Sequence, residues 1–192
     1  LRVNQSFEED GKTYYQFANA YPAGQNNAQT WNITAEYDEG VSIGKDMKNA
    51  GVDVWLAPGM NIHRNPLCGR NFEYFSEDPL LTGAMGAALT KGVQSIPGRG
   101  TTIKHFALNN QETERNSSNS VVSERALREI YLKNFEIAVK EAQPMCVMSS
   151  YNSINNVPAS DNYDLLENIL RKEWGYQGMV MTDWGGAGGS SD

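Results

Sequence analysis

The chain is poor in the residues that build metal centres and disulfide frameworks. With two cysteines and two histidines in 192 residues, it assembles neither a zinc set nor a network of bridges, so no metal and no cofactor is expected. It has no run of 18 apolar residues, the length a membrane-spanning helix needs, and Leu1-Arg-Val-Asn-Gln-Ser has no apolar stretch of the kind a secretion signal carries. A surplus of basic residues is also missing. The formal net charge is -7, which argues against nucleic acid or an anionic membrane as partner, because both are held by basic patches. A neutral polar ligand fits better. Cys146, in the apolar run Met145 to Met148, reads as an inert buried thiol. Asn4-Gln-Ser, Asn32-Ile-Thr and Asn116-Ser-Ser are glycan acceptor triplets of a kind that arises readily by chance, so the compartment, cytoplasmic or secreted, stays open.

What is present alternates. After a polar opening rich in Asn and Gln, Thr34 to Ala50 reads as a helix stopped by Gly51, followed by the strand Val52 to Ala57 and the turn Pro58-Gly59. A long loop ends at Asp78-Pro79, a cap followed by proline at the first helical position; Leu81, Ala84, Met85, Ala88 and Val93 mark one face of that helix. Thr101 to His105 supplies the next strand. A polar loop then leads to a helix from about Ser123 to Gln143, with Leu127, Ile130, Tyr131, Phe135, Ala138 and Val139 at helical spacing. Pro144 ends it, the strand Met145 to Ser149 follows, and a helix from Asp161 or Asn162 to about Trp174 precedes the last strand, Met179 to Thr182. Strands alternating with helices predict an α/β fold of parallel, right-handed (β/α) units. Part of a TIM-type (β/α)8 barrel is the expected architecture, because eight such units need about 250 residues. Residues 1–184 are assigned to this partial barrel domain and 185–192 to a flexible Gly/Ser-rich tail.

The strand ends carry the chemistry. Met179 to Thr182 reads as a buried strand that presents Asp183 and Trp184 at its carboxyl end, the position where barrels place reactive groups. A lone Asp after a strand is ordinarily a turn cap; here Arg70, Lys104-His105 and Tyr151-Asn152 arrive at the ends of the preceding strands and loops, on the same rim. Charged donors such as Arg70, Lys104 and His105 recognise hydroxyls, and their cationic charge would depress the pKa of an adjacent Asp183. Tyr151 is placed to donate a hydrogen bond to that carboxylate, and Trp184 offers an apolar face to a sugar ring. Glu73 and Glu77 stand near Arg64, Arg70 and Asp78 and read as ion-pair or cap residues, while Glu112 and Glu114 read as solvated.

Val52 to Pro66, Gly69-Arg-Asn-Phe-Glu-Tyr-Phe-Ser-Glu-Asp-Pro79, Lys104-His-Phe-Ala-Leu-Asn-Asn-Gln-Glu112, Ser123 to Leu132, Met148-Ser-Ser-Tyr-Asn152 and Glu173 to Trp184 together resemble the catalytic barrel of glycoside hydrolase family 3, in its β-glucosidase branch. The resemblance covers about residues 20 to 184. It implies a retaining hydrolase of terminal β-linked glucose or a related sugar. In that reading Asp183 is the nucleophile of a covalent glycosyl-enzyme, Tyr151 orients it, Arg70, Lys104 and His105 hold sugar hydroxyls, and Met148 and Trp184 wall the subsite. Two elements of the family are not seen. A sugar-binding Asp that lies before a Leu-Arg pair in related enzymes would precede Leu1-Arg2, and no acid/base Glu can be named. The chain is therefore expected to be a fragment, its partners being a β-glucoside or small oligosaccharide, the remainder of the barrel and a second domain. Alternatives are a Schiff-base lyase acting through Lys104 and a noncatalytic carbohydrate-binding relic.

Overall fold

The computed structural model describes residues 5–16 and 19–186. Of the tail assigned to 185–192, residues 187–192 lie outside this description.

The polar opening contains a β-hairpin, β1 (Gln5–Glu9) against β2 (Lys12–Gln16), turning on Asp10-Gly11 with φ of 54° and 71°. Two successive positive φ values are what a two-residue hairpin of this hand requires. A short helix α1 (Gly24–Gln29) leads to α2 (Ile33–Asn49), which starts where the Asn32 side chain accepts from the Ala35 amide at 3.0 Å and stops before Gly51, at φ 67°. β3 is only Val54–Trp55, but its continuation runs beside the next strand through bonds from Thr102 N to Ala57 O and from Lys104 N to Pro58 O, 3.1 Å each. α3 (Pro79–Gln94) has the expected cap: Asp78 accepts from the Leu80 and Leu81 amides, with Pro79 first in the helix. β4 (Gly100–Phe106) follows, then the short β5 (Asn119–Ser120).

The helix expected over Ser123 to Gln143 is one path with an interruption. α4 (Glu124–Ala126) passes into a π-helical turn over Leu127–Tyr131, closed by the Leu132 amide on the Leu127 carbonyl at 2.9 Å, and continues as α5 (Lys133–Ala142). The wider turn shifts the apolar stripe by a residue. Leu127, Leu132 and Phe135 are buried whereas Ile130, expected inside, is exposed. β6 (Cys146–Ser149) comes next; β7 (Ser153–Ile154) and β8 (Val157–Pro158) form a small sheet with β5. A π-helical segment, Asp164–Glu173, buries Leu165, Ile169 and Leu170 before β9 (Met179–Thr182).

The main sheet has the order β3-β4-β6-β9 and every pair is parallel. Spatial order equal to chain order, with helices between, is the winding of a (β/α) barrel and not of a doubly wound sheet, in which the order reverses. The expected α/β fold is therefore observed. β9 departs from expectation in its burial: Met179 is 53% exposed and Thr182 is also exposed. In the described residues β9 pairs only with β6 and forms one edge of the sheet, so its outer flank has no neighbour.

α3 lies between α2 and α5 and over β4, and it is buried along most of its circumference. Gly40 on α2 and Gly92 on α3 let the two backbones meet: a Cβ on Gly92 would lie 2.9 Å from the Gly40 Cα and nearer still to the Tyr37 carbonyl oxygen. Beneath the rim, the Phe106 ring makes edge contacts with Phe135 and Trp174, at centroid separations of 5.1 and 5.8 Å. Removing these rings and the surrounding Ile103, Val147 and Leu170 from water stabilises the floor on which the rim stands.

Candidate active site

The carboxyl ends of β4, β6 and β9 and the loop after β3 converge. Asp183 follows β9 directly and is 7% exposed; its amide bonds to the Ser149 carbonyl of β6 at 3.2 Å, so the sheet ladder itself sets the height of the carboxylate. Its Oδ1 accepts from the Trp184 amide at 2.8 Å and its carbonyl accepts from the Gly186 amide at 2.8 Å, closing a tight turn. Oδ2 faces His105 Nε2 at 3.6 Å. This spacing exceeds the usual hydrogen-bond range, and the imidazole carries no charge: burial, then the fields of Arg70, Lys104 and Arg115, push its pKa down to about 2. The expected cationic role of His105 is thus corrected. Burial, with the three cations, outweighs the Asp183 carboxylate and favours the neutral ring.

Arg70, from the loop after β3, and Lys104, from β4, meet on one anion. Arg70 pairs with Glu73 within the turn Asn71–Glu73, and Lys104 Nζ lies 3.5 Å from the other oxygen of Glu73. The two cations expected to face Asp183 are therefore tied to Glu73, which makes the ion pairs read for it from sequence. Glu112 is not solvated as expected. The loop after β4 folds back so that Asn109 and Arg115 donate to it at 2.9 and 2.8 Å. Glu114 is exposed.

Tyr151 donates its hydroxyl to the Trp184 carbonyl at 2.7 Å, which the turn after Asp183 brings within reach, and the Asp183 carboxylate lies near enough to interact with the same hydroxyl. Burial and then the nearby Asp183 charge push the Tyr151 pKa up, and the Arg115 guanidinium sits over its ring at 4.8 Å. Met148 is buried in β6 opposite Met181, one step below the Ser149–Thr182 pair from which Asp183 emerges. Trp184 is 79% exposed. Cys68 and Cys146 are free and buried, and burial raises the Cys146 thiol pKa. Among the described residues no group of three or more His, Cys, Asp or Glu gathers as a metal site.

Residues that sequence reasoning did not single out complete the arrangement. Asn61, in the loop after β3, exchanges two bonds with the His105 backbone: its amide nitrogen donates to the carbonyl and its oxygen accepts from the amide, both at 2.9 Å. Tyr74, fully buried, reaches His105 Nδ1 at 3.2 Å and accepts from Asn109 at the same distance. A polar Asn between Met60 and Ile62 is the one local signal that could have drawn attention. A buried neutral imidazole beside a buried carboxylate, rimmed by fixed cations and one exposed aromatic ring, can bind a polyhydroxy ligand and present a nucleophile to it.

Comparison with known proteins places this geometry. Residues 7–192 match the model of the glycosyl hydrolase family 3 N-terminal domain. Beta-glucosidase A of Butyrivibrio fibrisolvens is 51% identical over 169 residues, which is 88% of this chain and 20% of that protein. An exo-alpha-(1->6)-L-arabinopyranosidase of Bifidobacterium longum is 48% identical over 168 residues, 88% of this chain and 22% of its own length. The structure of beta-glucosidase 3B from Thermotoga neapolitana in complex with glucose superposes with a TM-score of 0.90 at 54% identity, covering 95% of this chain and 25% of that one. The chain thus spans a fifth to a quarter of the length of these relatives. By sequence and by fold alike, it belongs to glycosyl hydrolase family 3.

Proposed function

We propose that the protein containing this chain removes terminal β-linked glucose, or a close relative such as xylose, with net retention, and that Asp183 is its nucleophile. The observation that carries the reading is the buried Asp183 carboxylate, fixed by the β6–β9 ladder at the carboxyl end of the sheet and facing the His105 ring at 3.6 Å. A carboxylate there attacks the anomeric carbon as the glycosidic C–O bond breaks, and the leaving oxygen takes a proton from a second carboxyl. Water then cleaves the glycosyl ester. Retention requires the two carboxyls to stand roughly 5–5.5 Å apart; the partner is assigned to polypeptide outside these 192 residues. Arg70, Lys104 and His105 are assigned to sugar hydroxyls, Trp184 to the apolar face of the ring, Met148 to the wall behind it, and Tyr151 to orienting the nucleophile.

Relatives named for β-glucosidase activity and a relative whose structure is a complex with glucose support this assignment. A further relative is named an exo-alpha-(1->6)-L-arabinopyranosidase, which supports keeping a related sugar within the reading. The Schiff-base alternative fits poorly, because the Lys104 amine is engaged by the Glu73 carboxylate at 3.5 Å and is not free to attack a carbonyl.

The test is trapping. The full-length protein incubated with a 2-deoxy-2-fluoro-β-glucoside is expected to accumulate a covalent adduct on the peptide carrying Asp183, and Asp183→Asn to accumulate none. An adduct elsewhere, or none with the unmodified protein, overturns the assignment. The 192 residues expressed alone are expected to turn over an aryl β-glucoside at least about 10²-fold more slowly than the full-length protein, the usual effect of losing an acid/base.

A further inference from the structure

We infer that Tyr74 fixes the tautomer of His105, acting as a positioning residue that keeps the ring proton on Nε2, the nitrogen facing Asp183. The inference rests on the reading of Asp183 and His105 as one site. Because His105 is neutral, one ring nitrogen is a donor and the other an acceptor, and its neighbours decide which.

Two groups compete for Nδ1. The Asn61 side-chain oxygen lies 3.1 Å away and could accept a proton from it; the Tyr74 hydroxyl lies 3.2 Å away and could give it one. Asn61 cannot rotate its amide to change roles, because its nitrogen and oxygen are committed to the carbonyl and amide of His105. That oxygen is already satisfied by the backbone amide and gains little from a second donor. Tyr74 has no such latitude. It is fully buried, and its oxygen accepts from Asn109, whose nitrogen is held in that orientation by the Glu112 carboxylate at 2.9 Å. The hydroxyl proton then has, among its partners in the described residues, one atom able to receive it, His105 Nδ1. Leaving that donor orphaned costs more than placing a satisfied carbonyl oxygen near a lone pair.

The donors therefore run in one direction. Asn109 donates to Tyr74, Tyr74 to Nδ1, and Nε2–H points at Oδ2 of Asp183 across 3.6 Å. The first member is anchored by Glu112, which is paired with Arg115 at 2.8 Å, and Arg115 in turn covers the Tyr151 ring. With the proton on Nε2, the ring offers a donor to a substrate hydroxyl and places no lone pair against the carboxylate. On Nδ1, both effects reverse.

The experiment reads the proton directly. The full-length protein is labelled with 15N-histidine, His105 is assigned from the resonances lost in His105→Gln, and the coupling pattern identifies the protonated nitrogen. The unmodified protein is expected to show Nε2–H. Tyr74→Phe, which keeps the ring and removes only the hydroxyl, is expected to move the proton to Nδ1, where the Asn61 oxygen awaits it. Nδ1–H in the unmodified protein overturns the inference, and so does Nε2–H retained in Tyr74→Phe. Neither readout requires turnover, so failure here is distinct from failure of the fluoroglucoside trap at Asp183.

Discussion

The Glu73 carboxylate stands between Lys104, 3.5 Å away, and Arg70, its partner within one turn of chain. The two cations come from the loop after β3 and from the end of β4, so one anion sets the spacing of both. Replacing it with an isosteric neutral group leaves one guanidinium and one ammonium charge facing each other in a largely buried setting. Glu73→Gln in the full-length protein is therefore expected to lower kcat/KM for an aryl β-glucoside about 10–100-fold, about 1.4–2.8 kcal/mol of transition-state stabilisation. Steady-state kinetics check this; a value within twofold of the unmodified protein would show that Arg70 and Lys104 hold their places without it.

Glu36 on α2 is 2% exposed and its Oε1 has no hydrogen-bond partner. Burial first, then the charge of Glu39, push its pKa up to about 8. Glu39 moves in the same direction for the same leading reason. Since the folded pKa lies above the unfolded one, the stabilising contribution is complete below about pH 4.3 and is lost as the pH rises towards 8 and the unfolded chain ionises first. At about 1.4 kcal/mol per unit, the decline is on the order of a few kcal/mol. Urea unfolding at pH 5 and pH 8 checks it: the unmodified protein should weaken over that interval, and Glu36→Gln should weaken much less. Parallel pH profiles for the two proteins would refute the assignment.

What could be read from the sequence was local. Helix starts at Asp78-Pro79, stops at Gly51, and strands bounded by glycine depend on neighbours a few residues away, and they appear where the pattern puts them. The Arg70–Glu73 pair, three residues apart, was legible for the same reason. The Asp10-Gly11 pair is also a readable hairpin signal, left unused when the first segment is taken as a polar opening. The remainder depends on distance along the chain. Asn61 meets His105 across 44 residues, Tyr74 meets it across 31, and Tyr151 finds the Trp184 carbonyl across 33. No periodicity encodes such meetings. The neutrality of His105 was hidden likewise, because it follows from burial among cations contributed by three separate stretches.

The close crossing of α2 and α3 predicts a sharp intolerance. A methyl group at position 92 would enter space held by the Gly40 Cα, 2.9 Å from the new atom, and by the Tyr37 carbonyl. Backbone cannot yield as a flexible side chain does, so Gly92→Ala should cost about 1–3 kcal/mol by overpacking. Gly69→Ala is the matched control, since a Cβ there meets nothing within 4 Å. Denaturant midpoints should fall for the first variant and stay within error for the second; equal midpoints would mean that the helices separate without cost.

Tyr151 predicts an effect on rate without a comparable effect on affinity. Its hydroxyl donates to the Trp184 carbonyl at 2.7 Å, and the same short turn is closed by the Trp184 amide on Asp183 Oδ1 and the Gly186 amide on the Asp183 carbonyl, both at 2.8 Å. The ring itself is held separately, under Arg115 at 4.8 Å. Tyr151→Phe therefore keeps the ring and its cation contact while removing a side-chain bond that restrains the carbonyl after the proposed nucleophile. A carboxylate that must meet an anomeric carbon within a narrow range of distance and angle suffers from small displacements, about 10²-fold for 1 Å. The expected outcome is a fall in kcat on the order of 10–100-fold with KM changed less than threefold. The rate of glycosyl-enzyme formation from a 2-fluoroglucoside should fall in proportion, because the attack itself is what has been misaligned. If KM rises while kcat holds, Tyr151 serves the sugar and not Asp183, and the orienting role passes to the sheet ladder alone.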